Sequence, residues 1–360
     1  MRRQCLSFTA VLALALAAAT GPTLADVSTV VVMTHLNSPR GLAFGPEGGL
    51  YVAEAGTSEI HGPCTPSGGD KTRGDNCYSG TGAITRFWNG VQERVATGLP
   101  SLVNTGDGGV DGPEDIAFLG GSAHVTVGWG GAPDARAGLG ELGGLFGTLL
   151  QVVPSGRWRV VADISAYEAA YNPAGGRMDS NPYGVLVEPG RRVVTDAGWN
   201  SILTIAANGN VALVATLPRI QVPAPFNEAD AVPTEVERGP DGALYVSVLV
   251  GAPFPPGAAR IFRVSPGQAP QPYVEDLTSV TDFAFGADGS LYVVEYATGI
   301  FLSGPGTLLH ISNDGARRVI TTDLTHPTGV AVGPDGSIYV AHKGGLGDPP
   351  GEGEVVRIRF

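Results

Sequence analysis

Lysine is almost missing from this 360-residue chain. Only Lys71 and Lys343 occur, and arginine supplies the rest of the 22 basic residues against 34 acidic ones. The formal charge of −12 disfavours nucleic acid and anionic membrane surfaces, both of which select basic faces. Cysteine is also scarce: Cys5, Cys64 and Cys77 are the three present. They are too few for a zinc site. There is no Gly-x-Ser-x-Gly elbow, no phosphate loop and no histidine-rich metal motif, which argues against a serine hydrolase, a kinase and a Rossmann oxidoreductase. Beyond the N-terminus, no stretch is long and apolar enough to cross a bilayer.

Charged residues make up only 16% of the chain, but hydrophobic residues reach 43%, so the composition is not that of disorder. Glycine (54) and proline (28) are abundant. Beside many Val, Ile and Tyr residues, they fit short strands joined by tight turns. The N-terminus reads as a Sec-type secretory signal over residues 1–25. Arg2 and Arg3 give the positive start, Leu6 to Ala19 is apolar, and Thr23-Leu24-Ala25 is the cleavage site. Arg2-Arg3 leaves a twin-arginine route open. The expected product is secreted, to the cell envelope or beyond. Cys64 and Cys77 then remain as an even pair in an exported chain and read as one disulfide.

One pattern repeats six times. The first copy is Pro39 to Glu54 (PRGLAFGPEGGLYVAE) and the last is Pro327 to His342 (PTGVAVGPDGSIYVAH); the others start at Pro113, Pro182, Pro233 and Val280. Each has a short apolar strand, a Gly/Pro/Asp turn such as Gly239-Pro240-Asp241-Gly242, and a second strand. After an insertion come two more strands, as in Ser201–Ala206 and Val211–Ala215. Four antiparallel strands per repeat make one blade of a propeller, and neighbouring blades bury faces that one blade cannot bury alone. The chain ends on a third strand, Gly353–Phe360, and begins with a spare one, Ser28–Leu36. The expectation is an all-β, six-bladed β-propeller over residues 26–360, one domain, with the N-terminal strand closing the last blade.

The run from Pro327 to Ala341 resembles the NHL and SMP-30/gluconolactonase/strictosidine-synthase-like propellers. The whole chain, with its signal and its opening Asn37 to Phe44 (NSPRGLAF), resembles the ScyD/ScyE family. The resemblance covers nearly all of the mature chain. It implies the propeller and carries no defined reaction, since fold does not bring function with it.

In such a topology the connections between blades and the insertions after strand two share one end. These are the long segments, Gly56 to Gly82 and Gly128 to Gly147 among them, and long loops on a rigid scaffold carry function. Aligning the copies gives one column just inside strand one: Gly41, Asp115, Gly184, Glu235, Asp282, Gly329. A second column ends strand two: Glu54, Val127, Asp196, Val248, Glu295, His342. Both are expected to face the axial mouth at the loop end, with Glu114 beside Asp115. Crowded carboxylates raise one another's pKa unless a cation intervenes, and oxygen ligands suit Ca²⁺ or Mg²⁺. Polar strand ends in a hydrated channel are the plain alternative. Trp129, Trp199 and Tyr296 follow strand two and stand either at a pocket wall or in packing between loops.

Two functional readings follow, beside a third in which the chain is a cofactor-free envelope or matrix component. In the first, a monomeric binding or scaffold protein captures a small molecule, a glycan or a protein segment on the loop face, using Glu114, His342, Trp129 and Trp199. In the second, the chain is a metal-dependent hydrolase of lactones or esters, similar to the SMP-30/gluconolactonase group. There Asp115, Glu235 and Asp282 hold the ion, and Glu54, Asp196 or Glu295 is the base that activates water.

Overall fold

The computed structural model describes residues 27–67, 71–172, 175–176 and 178–360; the expected signal segment lies outside them. The chain is all-β, and six four-stranded antiparallel sheets repeat one strand order. The first sheet is formed by Pro39–Phe44, Leu50–Glu54, Gly82–Trp88 and Val91–Leu99. In the sixth, Gly329–Val332, Ile338–His342 and Gly353–Arg359 are joined by the N-terminal strand Ser28–Leu36, which pairs antiparallel with Gly353–Arg359 from Ser28 opposite Arg359 to Leu36 opposite Gly353. The first strand of each sheet packs beside the first strand of the next, and the sixth beside the first.

Local chemistry sets each hairpin. Gly48 and Gly336 sit at φ +86° and +74°, a region that costs other L residues energy. Their N–H groups close the turn onto Gly45 O and Gly333 O, both at 2.9 Å. The turn acids act locally: Asp288 Oδ1 accepts from Ser290 N at 3.0 Å and Asp335 Oδ1 from Ser337 N at 3.1 Å.

Burial falls from the axis outward. Leu50–Glu54 is buried at every position, but Val211–Thr216, an outermost strand, alternates half-buried and exposed residues. Apolar side chains of adjacent sheets meet between them: Tyr51, Ile84, Ile116 and Val125 join the first two sheets, and Val193, Ile202, Val236 and Val246 the third and fourth. Hydroxyls tie neighbouring sheets at the axis. Thr234, Thr281 and Thr328 donate to Val280 O, Pro327 O and Pro39 O, at 3.0, 2.8 and 2.8 Å.

The loop-end insertions are more regular than expected. The segment from Gly56 to Gly82 contributes Cys64–Pro66 and Asp75–Tyr78 to a small sheet completed by Leu102–Asn104 and Val110–Asp111. Cys64 and Cys77 are bonded across its first pair. This sheet lets backbone groups of an otherwise Gly-rich loop pair with one another, and it carries Asp111 toward the axis. Among the described residues, no helix is long and apolar enough to cross a membrane.

Candidate functional site

Five of the six first strands carry a register irregularity near their start, for example between Pro113 and Asp115 and between Val280 and Asp282. A bulge there re-aims consecutive side chains, so two neighbouring columns both reach the axis. They line two hollows that share no residue.

The deeper hollow, of about 310 Å³, extends toward the tight-turn end and brings together Asp115, Glu235, Asp282 and Glu237. Asp115 Oδ2 accepts from Val185 N of the next sheet at 2.7 Å, and Asp282 Oδ2 accepts from Val330 N, also at 2.7 Å. Glu235 Oε1 accepts from Val236 N at 2.8 Å. The glycines of this column make room for the acids. A Cβ at Gly41 would collide with the Asp115 carboxylate, and one at Gly184 with Thr234 O and the Glu235 backbone. Burial, with weaker opposition from the Val185 N–H, pushes the Asp115 carboxyl up to about 7. Burial followed by Asp115 pushes Glu237 to about 7. Burial followed by the Asp115 charge holds both Glu235 and Asp282 well above the usual carboxylate range. No basic side chain lines this hollow among the described residues, so nothing offsets the mutual repulsion of these carboxylates.

The strand-two column goes elsewhere. Glu54 Oε2 accepts from Asn37 N at 2.6 Å and from Arg94 Nη2 at 2.8 Å, and Thr85 Oγ1 donates to Oε1. Glu295 accepts from Thr278 N at 2.7 Å and Thr307 Oγ1 at 2.8 Å. Asp196 accepts from Asn181 N at 2.7 Å and Ser180 Oγ at 2.8 Å, and burial ahead of these bonds raises it to about 6. His342 Nδ1 accepts from Thr325 N at 3.4 Å, and its Nε2 lies 3.4 Å from Glu354. Burial, ahead of the pull of Glu354, lowers the His342 pKa. Each side chain therefore pins the connection that enters strand one of its own sheet. The shared mouth expected for both columns does not form: Glu54, Asp196, Glu295 and His342 line neither hollow. An alternating strand turns these end residues into the sheet, where the orphan N–H groups of the connection draw them.

The loop-end chamber, of about 200 Å³, is built on the column one residue earlier, which contains Arg40, Glu114, Tyr183, Thr281 and Thr328. Arg40 Nε is 3.0 Å from Glu114 Oε2, Arg40 Nη2 donates to Val110 O at 2.8 Å, and Nη1 donates to Gly344 O. Asp111 joins them from the small disulfide-bonded sheet. Burial followed by the Glu114 charge pushes its carboxyl up to about 7, against the pull of Arg40. Tyr296 closes one side; its hydroxyl accepts from Leu346 N at 2.8 Å and its ring stacks on His326 with centroids 4.7 Å apart. Apart from Glu114 and Tyr296, which lines the chamber as a pocket-wall residue, these residues were missed in the sequence. The threonines at 234, 281 and 328 mark this column as a second register, and reading it beside the first exposes Arg40 and Tyr183.

Trp129 is fully buried, its indole N–H donating to Ala132 O at 3.0 Å beside Phe146. Trp199 is also buried, near Tyr167, and borders a separate hollow with Arg219 and Asp230. Neither lines the axis. A larger groove, of about 560 Å³, runs between the first two sheets around Arg86 and Trp88, apart from all of these acids. Asp115, Glu235 and Asp282 share one hollow, but among the described residues no three His, Cys, Asp or Glu side chains converge as a metal-ion set. The backbone N–H groups that hold Asp115 and Asp282 draw their carboxylates to the walls.

No family model matches the sequence, and no curated protein is significantly similar to it. Solved structures similar to the chain include a putative oxidoreductase (glucose dehydrogenase) from Thermus thermophilus, 18% identical, with TM-score 0.54 over 93% of this chain and 100% of that one. Virginiamycin B lyase from Staphylococcus aureus is 12% identical, with TM-score 0.51 over 93% and 99%. A PQQ-bound aldose sugar dehydrogenase from Streptomyces coelicolor is 13% identical, with TM-score 0.51 over 93% and 99%. Together with the repeated sheets, these likenesses make the chain a β-propeller. At such identities they speak for the fold alone.

Proposed function

We propose that the chain is an exported six-bladed β-propeller, related to the ScyD/ScyE family and closed by its N-terminal strand, that binds a small molecule in the loop-end chamber. The observation that carries this reading is the meeting of Arg40, Glu114, Asp111 and Tyr183 around a hollow of about 200 Å³. These residues come from three of the repeated sheets and from the small disulfide-bonded sheet. Concave sites with a few convergent polar groups are where small ligands bind. The neighbouring sugar dehydrogenases and antibiotic lyase, which use the same fold on small molecules, support the size class. A thermal-shift screen of a mixed small-molecule panel tests the reading, run on the mature protein and on Leu302→Trp, which fills the chamber mouth. Ligands should stabilise the first and not the second. A panel without hits, or hits indifferent to the substitution, removes the reading.

The second reading, a Ca²⁺- or Mg²⁺-dependent lactone or ester hydrolase, is supported by the crowding of Asp115, Glu235 and Asp282 without a basic partner. Its test is a melting curve after EDTA and again after adding Ca²⁺ or Mg²⁺. A rise in Tm that Glu235→Gln abolishes favours an ion in the channel; an unchanged Tm leaves the carboxyls sharing protons.

A further inference from the structure

The loop-end chamber changes character with depth. At its floor, Arg40 and Glu114 offset one another, and every guanidinium nitrogen of Arg40 is already bonded, to Glu114, Val110 O and Gly344 O. The Asp111 carboxylate and the Tyr183 hydroxyl also face the space, and neither makes a hydrogen bond among the described residues. Asp107 and Asp348 line the adjoining hollow, which shares Arg40 and Asp111 with the chamber. Negative charge is thus in surplus at the floor, and an anionic ligand is repelled.

The rim is apolar. Leu249, Leu302 and Leu346 line it, and Leu346 is 51% exposed. The turn that carries Leu302 also exposes Ile300 (47%) and Phe301 (66%), and Phe301 N donates to Pro253 O at 3.0 Å, which fixes the turn in place. Large apolar side chains gathered at the mouth of a polar cavity point to a ligand that covers them.

We infer that the chamber takes an amphipathic amine, its ammonium beside Asp111 and its apolar tail along Leu249, Leu302 and Leu346 toward Phe301. This rests on the binding reading above and names its ligand class. An ammonium head supplies the counter-charge that Asp111 lacks while Arg40 is committed to Glu114, which accords with the raised pKa of Asp111.

Calorimetric titration of the mature protein with butylamine, hexylamine and octylamine, and with octanol and octanoate, tests it. Each methylene should tighten amine binding about three- to fourfold while it still falls on the leucines. Octylamine should bind at least about tenfold more tightly than octanol, with octanoate weakest. Asp111→Asn should erase the advantage of the amine and leave octanol unchanged. Leu302→Ser should flatten the dependence on chain length. The inference is overturned by octanoate binding as well as octylamine, by a flat amine series on the unsubstituted protein, by an amine advantage that survives Asp111→Asn, or by no binding of any probe. The unsubstituted series does not depend on how either variant folds. The mixed panel and Leu302→Trp are not restricted to amines, so hits there beside a failed amine series discard the ligand class and keep the binding site.

Discussion

Replacing Arg40 with methionine should destabilise the protein more than almost any other single change at the axis. Its side chain is 13% exposed and that of Glu114 only 4%, so water does little to screen the pair. Methionine keeps the length of the side chain but strands the Glu114 carboxylate and leaves Val110 O and Gly344 O without their donor. Removing one partner of a buried pair costs about 3–5 kcal/mol. For a chain of this size that is a fall in Tm of about 4 to 7 °C. The double variant Arg40→Met/Glu114→Gln removes the stranded charge and should recover about 2 kcal/mol of the loss, a coupling that a double-mutant cycle isolates. Thermal melts and guanidinium titrations at pH 7 measure all four proteins. High salt should leave the difference largely intact, because a buried pair is poorly screened. A loss below about 1 kcal/mol, or strictly additive single and double variants, would refute the assignment of Arg40 as the buried counter-ion of the mouth.

Two further expectations concern the acids. Asp115 rises from 3.8 to about 7 and Glu237 from 4.5 to about 7 on folding, so their contribution is full below about pH 4 and is lost as pH climbs through about 7. In metal-free buffer, Asp115→Asn, whose amide oxygen can keep the bond to Val185 N, should match the parent near pH 4 and exceed it by about 4 kcal/mol at pH 8; equal losses at both pH values count against the crowding. Glu54→Ala should cost about 2–3 kcal/mol, because Asn37 N and Arg94 lose their acceptor, and it should leave affinity at the chamber unchanged. A loss of ligand binding or turnover without loss of stability would return Glu54 to the list of chemical residues.

Much of the architecture could be read from residue order. The repeats beginning at Pro39 and Pro327 locate the hairpins because glycine at 48 or 336 is required by a positive φ, a constraint that acts within four residues. The spare strand Ser28–Leu36 and the pair Cys64 and Cys77 were legible for a similar reason: an unpaired edge needs a partner, and two cysteines left in an exported chain have one another. The acidic column at 115, 235 and 282 was also visible, interspersed with the glycines at 41, 184 and 329. Its neighbour was not. Arg40 and Tyr183 differ in type from the threonines at the same place in other repeats, and Asp111 comes from the connection between the first two sheets, outside the repeat.

Glycine at fixed turn positions and strand-length apolar runs thus determined, by local sterics and period alone, that the chain would form repeated four-stranded antiparallel sheets. Which carboxylates would meet was decided only in three dimensions. A bulge of one residue near the start of five of the six first strands sends Asp115, Glu235 and Asp282 into the deep hollow and Arg40 with Glu114 to the mouth. The same alternation turns Glu54, Asp196, Glu295 and His342 into their own sheets. Side-chain direction in a strand reverses with every residue, so alignment of the copies finds the columns but not the side of the sheet each one faces.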